Sequence, residues 1–216
     1  MRAAIIALLL TFGSQAGAEC GNLCDKDWWK TSTAVGVQAE LDGGADVTAR
    51  TEYGSTPLHY AARDGTPANI QVLLAAGADV MARNEFGLTP LHWVALTGTP
   101  ANIQVLLAAG ADVMARNGYG STPLHGVALA GTPANIQSLL DAGADLMARD
   151  SSGETPLHRA AQCFLCKAGV IQILLIAGAD AKAKNKNGKT PWDFAQNNKF
   201  LKGTKGYWAL NDAQYN

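Results

Sequence analysis

This sequence has almost no net charge, few histidines and, past its first residues, no long apolar run. Seventeen Lys and Arg stand against 18 Asp and Glu, a net charge of −1. So close a balance leaves no whole-chain electrostatic footprint for nucleic acid. After the N-terminal segment no stretch approaches the about 20 apolar residues that a membrane-spanning helix needs. No Gly-rich phosphate loop is present. The four histidines all fall in one recurring tetrapeptide. None is left for a Ser-His-Asp or Cys-His arrangement, which weighs against nucleophilic catalysis.

The first residues have a different character. Met1-Arg2 supplies one positive charge, Ala3 to Leu10 is apolar, and Ser14 to Ala18 is small and polar, with Ala16 and Ala18 placed as before a cut. That order is the pattern of a secretory signal peptide, too short to span a membrane. The reading predicts residues 1–18 as a signal, cleavage after Ala18, and a mature chain of 198 residues in the periplasm or outside the cell. Glu19 stands where a lipid-attachment box needs a small residue, so Cys20 is not expected to carry lipid. Charge is uneven along the mature chain. Residues 181–216 carry seven Lys and two Asp, a net of +5, while the rest has nine basic and 16 acidic residues. A basic end can steer an acidic partner; a solvated cap that keeps the end soluble is the favoured reading.

Self-similarity decides the fold class. Thr-Pro-Leu-His occurs at 56–59, 89–92, 122–125 and 155–158, with Thr-Pro-Trp-Asp at 190–193. Gly-Ala-Asp recurs at 44–46, 77–79, 110–112, 143–145 and 178–180. In the first full unit Thr56 is placed to cap a helix and Pro57 to occupy its first turn. Leu58, Ala61 and Ala62 give a small apolar face, and Gly65 reads as the helix stop. Thr66-Pro67 repeats the device, and Ile70, Leu73 and Leu74 form the second helix's stripe. Gly77 ends that helix, and an extended loop runs to a turn at Gly87. A 33-residue period with this tetrapeptide resembles the ankyrin repeat, and the similarity covers essentially the whole mature chain.

That resemblance implies an all-α repeat solenoid of stacked helix-turn-helix units with extended β-turn loops. Residues 19–50 hold an N-terminal segment and a degenerate capping repeat closed by Trp28 and Trp29. Full repeats follow at 51–83, 84–116, 117–149 and 150–184, the last longer by two residues, and 185–216 form a C-terminal cap. Trp192, Phe194, Phe200, Tyr207 and Trp208 read as the core of that cap. In the family the histidine holds its turn and the next repeat, so His59, His92, His125 and His158 are expected to be structural. Stacked helices lie roughly 8–10 Å apart and one zinc ion needs ligands at about 2 Å, so no metal site is expected. No cofactor or catalytic residue is expected either, and the Asp residues of Gly-Ala-Asp read as turn residues. On a solenoid Cys24 and Cys163 are roughly 40 Å apart, beyond disulfide reach. The expected pairs are Cys20–Cys24 and Cys163–Cys166. The second pair has Cys-x-x-Cys spacing, which gives the rival reading of an envelope redox protein; a structural staple is favoured, because no strand–helix context surrounds it.

The functional expectation is a monomeric interaction or scaffold module that binds another protein, not nucleic acid, through loop tips and the concave helix face. The aromatics Tyr53, Phe86 and Tyr119 share one tip position in three successive repeats. Tyr60 and Trp93 add aromatics on the first helices, and Arg83 and Arg116, within the column Arg50, Arg83, Arg116 and Arg149, are expected to frame the tips with charge. Aromatics are the usual interface anchors.

Overall fold

The computed structural model describes residues 20–163 and 169–215. Eleven α-helices and two 3-10 turns occur among the described residues, with no strand. After the 3-10 turns Gly21–Cys24 and Trp28–Lys30, the helices are α1 Ala34–Asp42, α2 Pro57–Asp64, α3 Pro67–Ala75, α4 Pro90–Thr97, α5 Pro100–Ala108 and α6 Pro123–Ala130. They continue with α7 Pro133–Asp141, α8 Pro156–Gln162, α9 Val170–Ile176, α10 Pro191–Ala195 and α11 Lys205–Ala213. The even-numbered helices α2 to α10 pack in one row and the odd-numbered α1 to α11 in a second. Their facing stripes, among them Leu58, Ile70, Leu73, Ile103, Leu124, Ile136 and Leu157, are fully buried in one continuous core. A single helix pair has no partner for its stripe, so stacking supplies the stability.

Local chemistry sets each helix start. Thr66, Thr99 and Thr132 accept the backbone N–H three residues on, and a proline occupies the first turn behind each. The even helices α2, α4, α6 and α8 add a bond in the reverse direction, completing a capping box. His59 Nδ1 accepts the backbone N–H of Thr56 at 3.1 Å and faces its hydroxyl at 2.9 Å; His92, His125 and His158 do the same. The helix α9 lacks the Thr-Pro start and begins after Gly169 with φ of 95°.

Glycine has two separate reasons here. Gly77 exits α3 at φ of 96°, a left-handed conformation that costs a side chain strain. Gly65, expected to stop α2 in the same way, has an extended backbone, as does Gly131 after α6. A Cβ on Gly131 would lie 2.5 Å from Val127 Cγ1, so close packing and not handedness demands glycine there.

Both ends are closed. Trp29 is buried and its Nε1 donates to the Leu23 carbonyl at 2.9 Å, while a Cys20–Cys24 disulfide, Cα–Cα 5.4 Å, ties the preceding turn. At the far end α11 packs on α9, and Tyr207 is buried against Trp192, ring centroids 4.9 Å apart. The expected aromatic cap core is only partly realised: Phe200 and Trp208 are 53% and 56% exposed.

Candidate protein-interaction surface

The loops between odd and even helices project as turns, and hydrogen bonds hold each one. Asp79 Oδ1 accepts the N–H of Met81 at 2.8 Å, with the same contact at Asp46, Asp112, Asp145 and Asp180. These carboxylates are turn residues, as expected. Asn84 Oδ1 then accepts from Phe86 and Leu88, closing the turn that presents Phe86. Neighbouring tips are joined by single backbone bonds, Glu85 N–H to Tyr53 O at 3.1 Å and Gly118 N–H to Phe86 O at 2.9 Å. This ladder places Tyr53, Phe86 and Tyr119 in one row, 55%, 45% and 63% exposed. Tyr53 and Phe86 stack with ring centroids 6.5 Å apart.

The arginine column has a structural duty that the sequence reading missed. Arg83 Nη1 donates to Gly87 O in its own turn and to Arg116 O in the next repeat, at 3.1 and 2.7 Å. Arg50, Arg116 and Arg149 repeat the pair of contacts. Each guanidinium spends one nitrogen on stitching repeats together and stays exposed beside the tip row.

Behind the tips, the even helices form the inner face. Tyr60 and Trp93 meet edge to face at 5.2 Å, and Arg63 lies over both rings at 5.7 and 5.1 Å. Arg63 also pairs with Asp64 at 2.6 Å, and Thr97 hydrogen-bonds the Asp64 carboxylate. One repeat further Gly126 takes the place of Tyr60 and Trp93. There a cleft of about 420 Å³ opens, bounded by Tyr119, Leu129 and Arg159. Arg159 is neutralised by the buried Asp150, Nη2–Oδ2 2.5 Å, and by Glu154. Burial pushes the Asp150 carboxyl up, but hydrogen bonds from Arg159 and from the backbone N–H of Glu154 and Ser152 reverse this and hold it below the usual range.

The histidines sit beneath this face. His59 Nε2 faces the Leu88 carbonyl at 2.9 Å, and His92, His125 and His158 reach carbonyls of the following repeat at 3.0–3.1 Å. A nitrogen facing a carbonyl must donate, so Nε2 carries the proton and Nδ1 is the acceptor. Burial lowers all four, His59 and His92 to about 4. They are neutral links between repeats. Among the described residues no group of His, Cys, Asp or Glu is placed to hold a metal.

A second set of links escaped the sequence reading. Asn102 is fully buried, and its Nδ2 donates to Ala62 O and Gly65 O of the preceding repeat at 3.1 and 2.9 Å. Asn69, Asn135 and Asn198 make equivalent bonds. The available signal was an asparagine recurring inside Pro-Ala-Asn-Ile-Gln at 67–71, 100–104 and 133–137. Cys163 is 1% exposed and disulfide-bonded; its expected partner Cys166 lies outside the described residues, as do the signal residues 1–18.

Stacked helix pairs with projecting turns define a repeat scaffold whose variable residues gather on one face. Family models place it. One described as ankyrin repeats (3 copies) matches residues 33–117, another as ankyrin repeats (many copies) matches 106–160, and a third as ankyrin repeat matches 152–186. The chain belongs to the ankyrin-repeat family, whose members generally mediate protein–protein interaction. Compared with curated proteins, the chain finds no match. No helix among the described residues is long and apolar enough to cross a membrane.

Proposed function

We propose that this protein is an exported, monomeric interaction module that holds a partner protein against the tip row and the inner helix face. The observation that carries the reading is the exposed row Tyr53, Phe86 and Tyr119, held rigidly in register by backbone bonds between repeats. Three large exposed rings on a backbone already hydrogen-bonded between repeats need little loop ordering on binding, and exposed aromatic rows mark interaction sites. Export rests on the order of charge, apolar run and small residues over 1–18. The burial of Cys163 and the bond its carbonyl accepts from Asn198 support a structural disulfide over a redox pair.

The test is the triple change Tyr53→Ser, Phe86→Ser and Tyr119→Ser, followed by crosslinking capture from the envelope fraction. Capture should fall sharply, while stability moves by within about 0.5 kcal/mol per site, because the side chains are exposed. A clear drop in melting temperature with capture preserved in the folded fraction would show that the row braces the stack instead. N-terminal sequencing of the same material should begin at Glu19; a start at Met1 removes the export half of the reading.

A further inference from the structure

The basic end of the chain carries an excess of positive charge, seven Lys against two Asp. All seven lysines of residues 181–216 are exposed. The ion pairs of the described residues, Lys30–Asp27, Arg63–Asp64 and Arg159 with Asp150 and Glu154, engage none of them. The two acidic residues of this segment are spent on local bonds. Asp193 Oδ2 accepts the backbone N–H and hydroxyl of Thr190 at 2.7 and 2.9 Å, which holds its carboxyl below the usual range. Asp212 accepts from Asn211.

Two of these lysines frame a cleft of about 490 Å³ at the last inner helix, lined by Phe194, Phe200, Lys189, Lys199, Asp193 and Gln162 among others. Lys189 Nζ lies 5.6 Å from the Phe194 ring centroid, and Lys199 Nζ lies 5.2 Å from that of Phe200. The floor is firm, since Asn198 is buried and donates to the Ala161 and Cys163 carbonyls at 3.0 and 2.8 Å. Two rings flanked by two ammonium groups outside any ion pair of the described residues, beside an Asp193 carboxylate already hydrogen-bonded to Thr190, are complementary to one pattern.

We infer that this cleft binds an acidic peptide segment in which carboxylates flank an apolar side chain. The inference rests on the interaction reading above and names the chemistry of the partner. The apolar side chain lies against Phe194 and Phe200, and the carboxylates meet Lys189 and Lys199. Exposed ammonium groups contribute steering and specificity more than affinity, so the contact is salt-sensitive and fast to form. Single-stranded nucleic acid is the poorer fit. A strand needs a basic groove that tracks its backbone, whereas this cleft offers two ammonium groups beside the Asp193 carboxylate.

The probe is acetyl-Glu-Glu-Phe-Glu-Glu-amide, titrated into the mature chain by calorimetry at low salt. Its counterpart with four lysines in place of glutamates and an oligodeoxythymidine of about 10 nucleotides are run beside it. The acidic peptide should bind saturably, and the lysine peptide and oligonucleotide should not. Lys189→Glu with Lys199→Glu should weaken the acidic peptide by about tenfold or more. Lys182→Glu with Lys186→Glu, the same charge change at two lysines that do not line the cleft, should stay within about threefold. A melting curve checks the fold of each variant, and Lys189→Gln with Lys199→Gln serves if charge reversal unfolds the cap. Equal losses in the two double variants, preferential binding of the oligonucleotide, or no binding of the acidic peptide overturns the inference. If the tip-row variant still loses partner capture in that event, the interaction reading stands and only the cleft is refuted.

Discussion

Lowering the pH from 7.5 to 5.0 should loosen this solenoid before any ordinary carboxylate titrates. The cause is the histidine ladder. Each ring accepts a backbone N–H at Nδ1 and offers Nε2–H to the next repeat, so it is bonded as the neutral tautomer. A proton on Nδ1 would face the Thr56 N–H, 3.1 Å away, and turn an acceptor into a repelling donor. Burial lowers His59 and His92 to about 4, against about 6.5 in the unfolded chain. Above pH 6.5 both states are neutral and the full stability is present. Between 6.5 and 4 the unfolded chain binds more protons, so stability falls as pH falls, and the loss levels off below 4. At pH 5 the linkage relation gives a loss of about 2 kcal/mol for each of these two buried rings. His125 and His158 are lowered by the same cause and add to it in the same direction. A loss of that size is a large part of the about 5–15 kcal/mol that holds a domain folded. Urea unfolding followed by circular dichroism at the two pH values measures it. His92→Gln should be less stable at pH 7.5 and should show a shallower pH dependence. An unchanged urea midpoint, or a histidine ring proton in the folded chain titrating near 6.5 by NMR, would refute the account.

Two further changes probe the links between repeats. Asn102→Ala leaves the Ala62 and Gly65 carbonyls without their donor and should cost about 1–3 kcal/mol in urea unfolding; a loss under about 0.5 kcal/mol would mean that water replaces the amide. Gly131→Ala should destabilise by about 1–3 kcal/mol through overpacking, since its Cβ would press on Val127, whereas Gly188→Ala meets no atom and carries only the strain of φ 72°. If Gly188→Ala proves the costlier in thermal melts, the close-packing account of Gly131 fails.

The sequence by itself determined the period, the helix starts and the turns. Thr66 caps the N–H of Asn69, and Asp79 closes on Met81, across two or three residues. Contacts that short follow from chain order, so three successive copies carry the same Thr-Pro start for the same reason. The Cys20–Cys24 pair and the shared tip position of Tyr53, Phe86 and Tyr119 were legible for that reason too. Of what joins one unit to the next, only the histidine link was expected, from the family resemblance; the arginine and asparagine links were not legible. Arg83 reaches Arg116 across 33 residues, Asn102 reaches Gly65 across 37, and His59 reaches Leu88 across 29. A repeated arginine reads equally well as a binding column or as a stitch, and only the spacing of stacked repeats puts its nitrogen on a carbonyl. Gly65 and Gly77 likewise read alike as helix stops; the backbone made one a close contact and the other a left-handed turn. The lysine-flanked cleft belongs with these, because Gln162 of α8 meets Lys189, Phe194 and Phe200 only when the last unit docks. Hydrogen bonds within a turn depend on a few torsion angles of one segment, while those between repeats depend on the packing distance set by the buried stripes of both.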